Sequence, residues 1–144
     1  MSPITWRPSI IRLLRYAWAA PATVIGLPCI AAAWLTGGGV QVVDGAVEVY
    51  GGLIGSLLRR GLPVLGPAAA MTLGHVILGR DRECLDHSRR HEHVHVRQYE
   101  RWGIFMLPVY LAASAVQYMR GLDPYVDNPF EREAFGEAEN CDAS

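Results

Sequence analysis

The sequence predicts an α+β fold: an N-terminal transmembrane helix, then a minimal domain with a small sheet and one long amphipathic helix. Three observations predict it. No charge interrupts Tyr16 to Leu35 (YAWAAPATVIGLPCIAAAWL), and about 20 apolar residues suffice to cross a bilayer. Two β-prone runs, Val40 to Tyr50 and Ala70 to Leu78, are bounded by glycine-containing turns. Between Arg82 and Trp102 the apolar residues recur at helical spacing around His91-Glu92-His93-Val94-His95. The boundaries that follow are 1–39 for a membrane anchor, 40–136 for the domain and 137–144 for a flexible acidic tail.

Arg7, Arg12 and Arg15 precede the apolar run, and Trp18 and Trp34 stand near its ends, as interfacial tryptophans do. An uncleaved anchor fits these features. A signal peptide cleaved near Ala31-Ala32-Ala33 is an alternative, although the run is long for an h-region. A buried core helix is another, less easily reconciled with Pro21 and Pro28. The arginines before the run place the N-terminus inside and the domain outside, while Arg59 and Arg60 beyond it pull the other way.

Thr36-Gly37-Gly38-Gly39 reads as a joint, and Asp44-Gly45 within VQVVDGAVEVY as a hairpin turn. Gly51 to Leu65 reads as a short helix and turn at the membrane surface. Its glycines form no phosphate-binding pattern. Ala70 to Leu78 (AMTLGHVIL) reads as one strand, with His75 inside it as a possible substrate-polarising group. Ile104 to Met119, apolar and short for a span, reads as a core helix, with a half-buried membrane segment as the alternative.

On a helix over 82–102, Leu85, Ser88, Glu92, His95, Val96, Tyr99 and Trp102 share one face, with His91 at its margin. The opposite side carries the charges and His93. Glu92 is the carboxylate on the apolar side, where a cation would offset its burial. His91-Glu92-x-x-His95 matches H-E-x-x-H, in which two histidines one turn apart hold zinc and the glutamate activates a zinc-bound water. His87 extends the row to about 12 Å, too long for one tetrahedral ion.

Catalytic zinc takes a third protein ligand, and the helix start at Asn128-Pro129-Phe130-Glu131-Arg132-Glu133-Ala134-Phe135 offers Glu131 or Glu133. Gln98 and Asn128 stand where they would orient ligands. With these motifs the chain resembles the gluzincin metallopeptidases, and among them the membrane-bound CAAX-processing endopeptidase branch, which carries E-x-x-A-D on its second helix. Glu131-Arg132-Glu133-Ala134 follows that pattern, and Phe135 stands where the branch has aspartate. The chain is also similar to small bacterial proteins that pair HEHVHVRQYERWG with NPFEREA, which implies a bacterial inner membrane.

The resemblance implies a minimal zincin-like domain that hydrolyses peptide bonds with one Zn2+ on His91, His95 and Glu131, and with Glu92 as base. It also implies a peptide or protein substrate added to the edge strand beside the zinc helix, and leaves room for a partner that completes the site. The rival class is a non-catalytic zinc-binding or scaffolding membrane protein, its fourth position filled by His75, His87 or Glu133. Tyr110, Tyr118 and Tyr125 each offer a hydroxyl to an oxyanion, and the sequence does not choose among them.

Thirteen arginines and no lysine against 14 acids give a net charge of −1, which leaves no basic stripe for nucleic acid. Cys29, Cys84 and Cys141 are far apart and form no C-x-x-C motif.

Overall fold

The computed structural model describes residues 10–63 and 66–142, so Arg7 and the chain's last two residues lie outside the described residues. The fold is α+β. Its elements are α1 (Ile10–Leu35), β1 (Gly39–Val43), β2 (Ala46–Tyr50), α2 (Gly52–Arg60), β3 (Ala70–Leu73), β4 (Val76–Gly79), α3 (Arg82–Trp102), α4 (Met106–Met119) and α5 (Pro129–Asp142). A 3-10 turn, Gly103–Phe105, joins α3 to α4.

The strands form one mixed sheet in the order β1-β2-β4-β3, with β2 and β4 parallel and the outer pairs antiparallel. Asp44 and Gly45 both take positive φ, 49° and 82°, as a two-residue hairpin turn between right-twisted strands requires. Side-chain alternation then divides the sheet. Val49, Val76 and Leu78 point to a cluster with Ile54 and Leu58 of α2 and Ala33 of α1, whereas Ala46 and Ile77 point to Leu85 and Val96 of α3. The sheet is thus a middle layer, with α1 and α2 on one face and α3 on the other.

That arrangement bears on four expectations. The apolar N-terminal helix is long enough to cross a membrane, and it also packs on the domain, with its C-terminal half against the sheet and Ala19 and Ala22 against Tyr99, Met106 and Phe130. Its buried residues are small: Ala19, Ala22, Gly26 and Ala33. A Cβ on Gly26 would stand 2.8 Å from Val76 Cβ, which shows how closely helix and strand approach. Ala70 to Leu78 is not one strand but a hairpin, turning at Gly74 with φ 62°, and His75 N–H donates to Thr23 Oγ1 of α1 at 3.0 Å. Apolar residues on both sides of the turn hide it from a pattern reading.

Ile104 to Met119 is not a core helix either. Of α4 only Met106 is buried, while Leu107, Leu111, Val116, Tyr118 and Met119 are exposed. Finally, the expected tail continues α5 as helix to Asp142, and Glu137 pairs with Arg97 of α3.

Candidate metal centre

Helix α3 starts at Asp81, whose carboxylate accepts from Cys84 N–H at 2.8 Å, and it runs over the range its periodicity predicts. One turn of rise brings His91 and His95 side by side, Nε2 to Nε2 at 3.2 Å. Helix α5 packs on α3 and delivers Glu131 to the same point, with Oε2 2.9 Å from His91 Nε2 and Oε1 3.4 Å from His95 Nε2. Ligand atoms of the three residues all lie within 4.8 Å of one another.

Glu133, the alternative ligand, turns away. It accepts from Gln98 Nε2 at 2.9 Å and pairs with Arg101. His75 is not brought to the centre: it stacks on Tyr16 at 4.0 Å and pairs with Glu100 at 3.0 Å, so its place in the hairpin turn points it toward the N-terminal end of α1. His87 borders the cavity described below without joining the ligand cluster. His93 is half-buried rather than on a solvated face, and burial lowers its pKa.

Gln98 is fully buried, and its amide orientation follows from its neighbours. Nε2 donates to Phe130 O and Glu133, so Oε1 is the acceptor for His95 Nδ1–H at 2.8 Å. Holding the proton on Nδ1 leaves a neutral His95 with a bare Nε2 lone pair, aimed at His91 Nε2 and a carboxylate. Converging lone pairs require a cation or a proton between them. In the metal-free chain the proton serves: burial would lower the His95 pKa, but the Glu131 carboxylate and then Glu92 raise it. Burial would likewise raise Glu131, yet bonds from His91, His95 and Tyr110 bring it down to about 2.

His91 Nδ1 is buried without a hydrogen-bond partner, and the Phe135 ring lies 4.5 Å from its ring. Phenylalanine at 135 offers that nitrogen no acceptor. Two imidazoles and one carboxylate, with lone pairs converging in a buried pocket, could hold a metal ion.

Glu92 lies beside the cluster and outside it. Its Oε2 accepts from Thr72 Oγ1 of β3 at 2.7 Å, and burial raises its pKa, an effect that the nearby His95 and the Thr72 bond only partly offset. Thr72 and Tyr110, whose hydroxyl donates to Glu131 Oε1 at 2.7 Å, are the contacts that sequence reasoning did not assign. Asn128 touches no ligand directly. It caps α5 through Phe130 N–H and donates to Tyr110 O and Ser114 Oγ, so it acts on Glu131 by way of Tyr110.

His91, Glu92, His95 and Glu131 line one wall of a cavity of about 660 Å³, with β3, Leu107 and Tyr125 on its other sides. No protein-family model, no curated protein and no solved structure matches the chain.

Proposed function

We propose that the chain is a membrane-associated zinc metallopeptidase of minimal zincin-like type. The observation that carries this reading is the position of Glu92: a buried carboxylate in the ligands' own cavity that remains off the ligand cluster and is held by Thr72. His91, His95 and Glu131 hold the ion, and Gln98 and Tyr110 orient them. Zinc there would supply Lewis acidity to water and to a substrate carbonyl.

Burial raises the Glu92 pKa above its ordinary value, which makes it a stronger base than an exposed carboxylate. Glu92 accepts the proton of the attacking water and returns it to the departing amine. β3 is an edge strand and lines the cavity through Ala70 to Leu73, so an extended peptide pairs along it and crosses Glu92. The apolar surface of α1 holds this site at a membrane.

The test is Glu92→Gln. The variant is expected to retain zinc at the wild-type ratio and to cleave a peptide library at least ~100-fold more slowly. Equal cleavage by variant and wild type, or no cleavage by zinc-loaded wild type, overturns the peptidase reading. The latter result with tight zinc binding would favour a structural zinc site.

A further inference from the structure

We propose that α1 lies in the plane of a membrane surface, its bulky face in the lipid, and does not cross the bilayer. The helix is divided by size. Gly26 and Ala33 face the sheet, Ala19 and Ala22 meet Tyr99, Met106 and Phe130, while Leu14, Trp18, Val24, Ile25, Trp34 and Leu35 are exposed. A soluble domain buries its large residues; here every fully buried residue of the helix is small and its largest ones are exposed, which suits a helix whose outer solvent is hydrocarbon.

What that hydrocarbon can reach is limited by the sheet. The β1–β2 hairpin runs beside α1, from Gly45 at the level of Tyr16, whose hydroxyl donates to Gly45 O, to Gly38 and Tyr50 at the level of Ala33. Thr23 bonds to His75 N–H, and Gly26 meets Val76 in between. If α1 stood upright across a bilayer, this sheet would stand in the core with it. Its two outer strands, β1 and β3, would then turn unpaired backbone groups toward lipid, each costing several kcal/mol by general estimate. Lying flat removes that conflict: the outer face enters the lipid to a depth of about 5–10 Å and the strand edges stay in water.

A second apolar surface continues the first. Trp18 meets Phe105 of the 3-10 turn at a ring distance of 6.2 Å, and from there Ile104, Leu107 and Leu111 are exposed. Helix α4 has 14 residues, about 21 Å of rise, too short to cross a core of about 30 Å but suited to lying in its surface. Exposed Arg59, Arg60 and Arg120 stand at the ends of α2 and α4, where anionic headgroups would meet them, while Arg12 and Arg15 lie beside Tyr16, Asp44 and Glu100.

The test uses the full chain with Cys29→Ala, Cys84→Ser and Cys141→Ser, bound to vesicles of mixed phosphatidylcholine and phosphatidylglycerol. Nitroxides are placed singly at the exposed positions Leu14→Cys, Ile25→Cys and Leu35→Cys, and their depth is read from collisions with oxygen and with a water-soluble nickel chelate. All three are expected at one shallow depth. A spanning helix would put Ile25 about 16 Å deeper along the axis than Leu14, which overturns the proposal. Three water-exposed labels also overturn it. As an independent reading, single cysteines at Arg12→Cys and Ser56→Cys should both react with a membrane-impermeant thiol reagent from the same side of intact vesicles. Reaction of only one before the vesicles are opened overturns it.

Discussion

Replacing Gln98 by leucine separates the metal centre from the packing around it. The side chain is fully buried and makes three polar contacts, accepting from His95 Nδ1 and donating to Phe130 O and Glu133. Leucine fills the volume and satisfies none of them. His95 Nδ1–H and the Phe130 carbonyl lose buried partners at roughly 1–3 kcal/mol each. In a chain of 144 residues, 1 kcal/mol shifts Tm by about 2–4 °C, so the variant should melt roughly 4–24 °C lower. With Nδ1 released, His95 also loses the bond that fixes its tautomer and ring angle, and zinc affinity should fall ~10–100-fold. Competition with a chromophoric chelator measures the affinity, and circular dichroism with and without chelator measures Tm. Gln98→Glu is the partner experiment: it keeps an acceptor for Nδ1 but sets a carboxylate against Glu133, so zinc binding should survive while stability falls. A folded Gln98→Leu protein that binds zinc as tightly as wild type would refute the orienting role.

His91→Ala or His95→Ala should abolish tight zinc binding, whereas His93→Ala should retain it, as metal analysis of purified proteins would report. Thr72→Val removes the hydrogen bond that holds the Glu92 pKa down, so the acid limb of the peptidase pH profile should move to higher pH. In the chelated protein, the lowered Glu131 pKa contributes stability above its ordinary value of 4.5, lost as pH falls toward 2. The raised His95 pKa contributes stability below its ordinary 6.5, lost as pH rises through the higher folded value. Metal-free Tm should therefore peak at mildly acidic pH, and zinc should add more to Tm as pH rises and protons cease to compete. Gly26→Val should cost roughly 1–3 kcal/mol of stability through overpacking against Val76, and so lower Tm, where a detached anchor would show no change. Arg89→Met should cost about 3–5 kcal/mol by leaving buried Glu48 without a cation and with the Gln41 amide as its remaining donor, and adding Glu48→Leu should recover most of it in a urea titration.

The parts of this fold set by local chemistry were legible in the sequence. Asp44-Gly45 supplies the positive φ that its turn needs, and the helical spacing from Leu85 to Tyr99 places α3 and its buried histidines. The role of α1 was not legible, because an apolar run is equally apolar to lipid and to a sheet. Only the position of its small residues, read against a strand that contributes Val76, tells the two faces apart. The same limit hid the Gly74 turn, where valine and isoleucine follow the glycine as readily as leucine precedes it.

The site divides along the same line. His91, Glu92 and His95 are one turn of one helix, so their proximity is a property of local geometry. Glu131 over Glu133 is decided by the angle at which α5 meets α3, and that angle is fixed by contacts between residues more than 30 positions apart: Gln98 with Phe130 O and Glu133, and Arg97 with Glu137. The rotation of α3 about its own axis is held from the two strands that flank β4, on one face of the sheet. Thr72 of β3 grips Glu92, and the buried Glu48 of β2 takes a bidentate bond from Arg89, at 2.7 and 2.9 Å, on the other flank. A buried ion pair rarely adds net stability over an apolar pair, but it tolerates little rotation. At Glu48 and Arg89 its use is to fix the direction in which the two histidines point, so loosening it should disturb zinc binding even where folding survives.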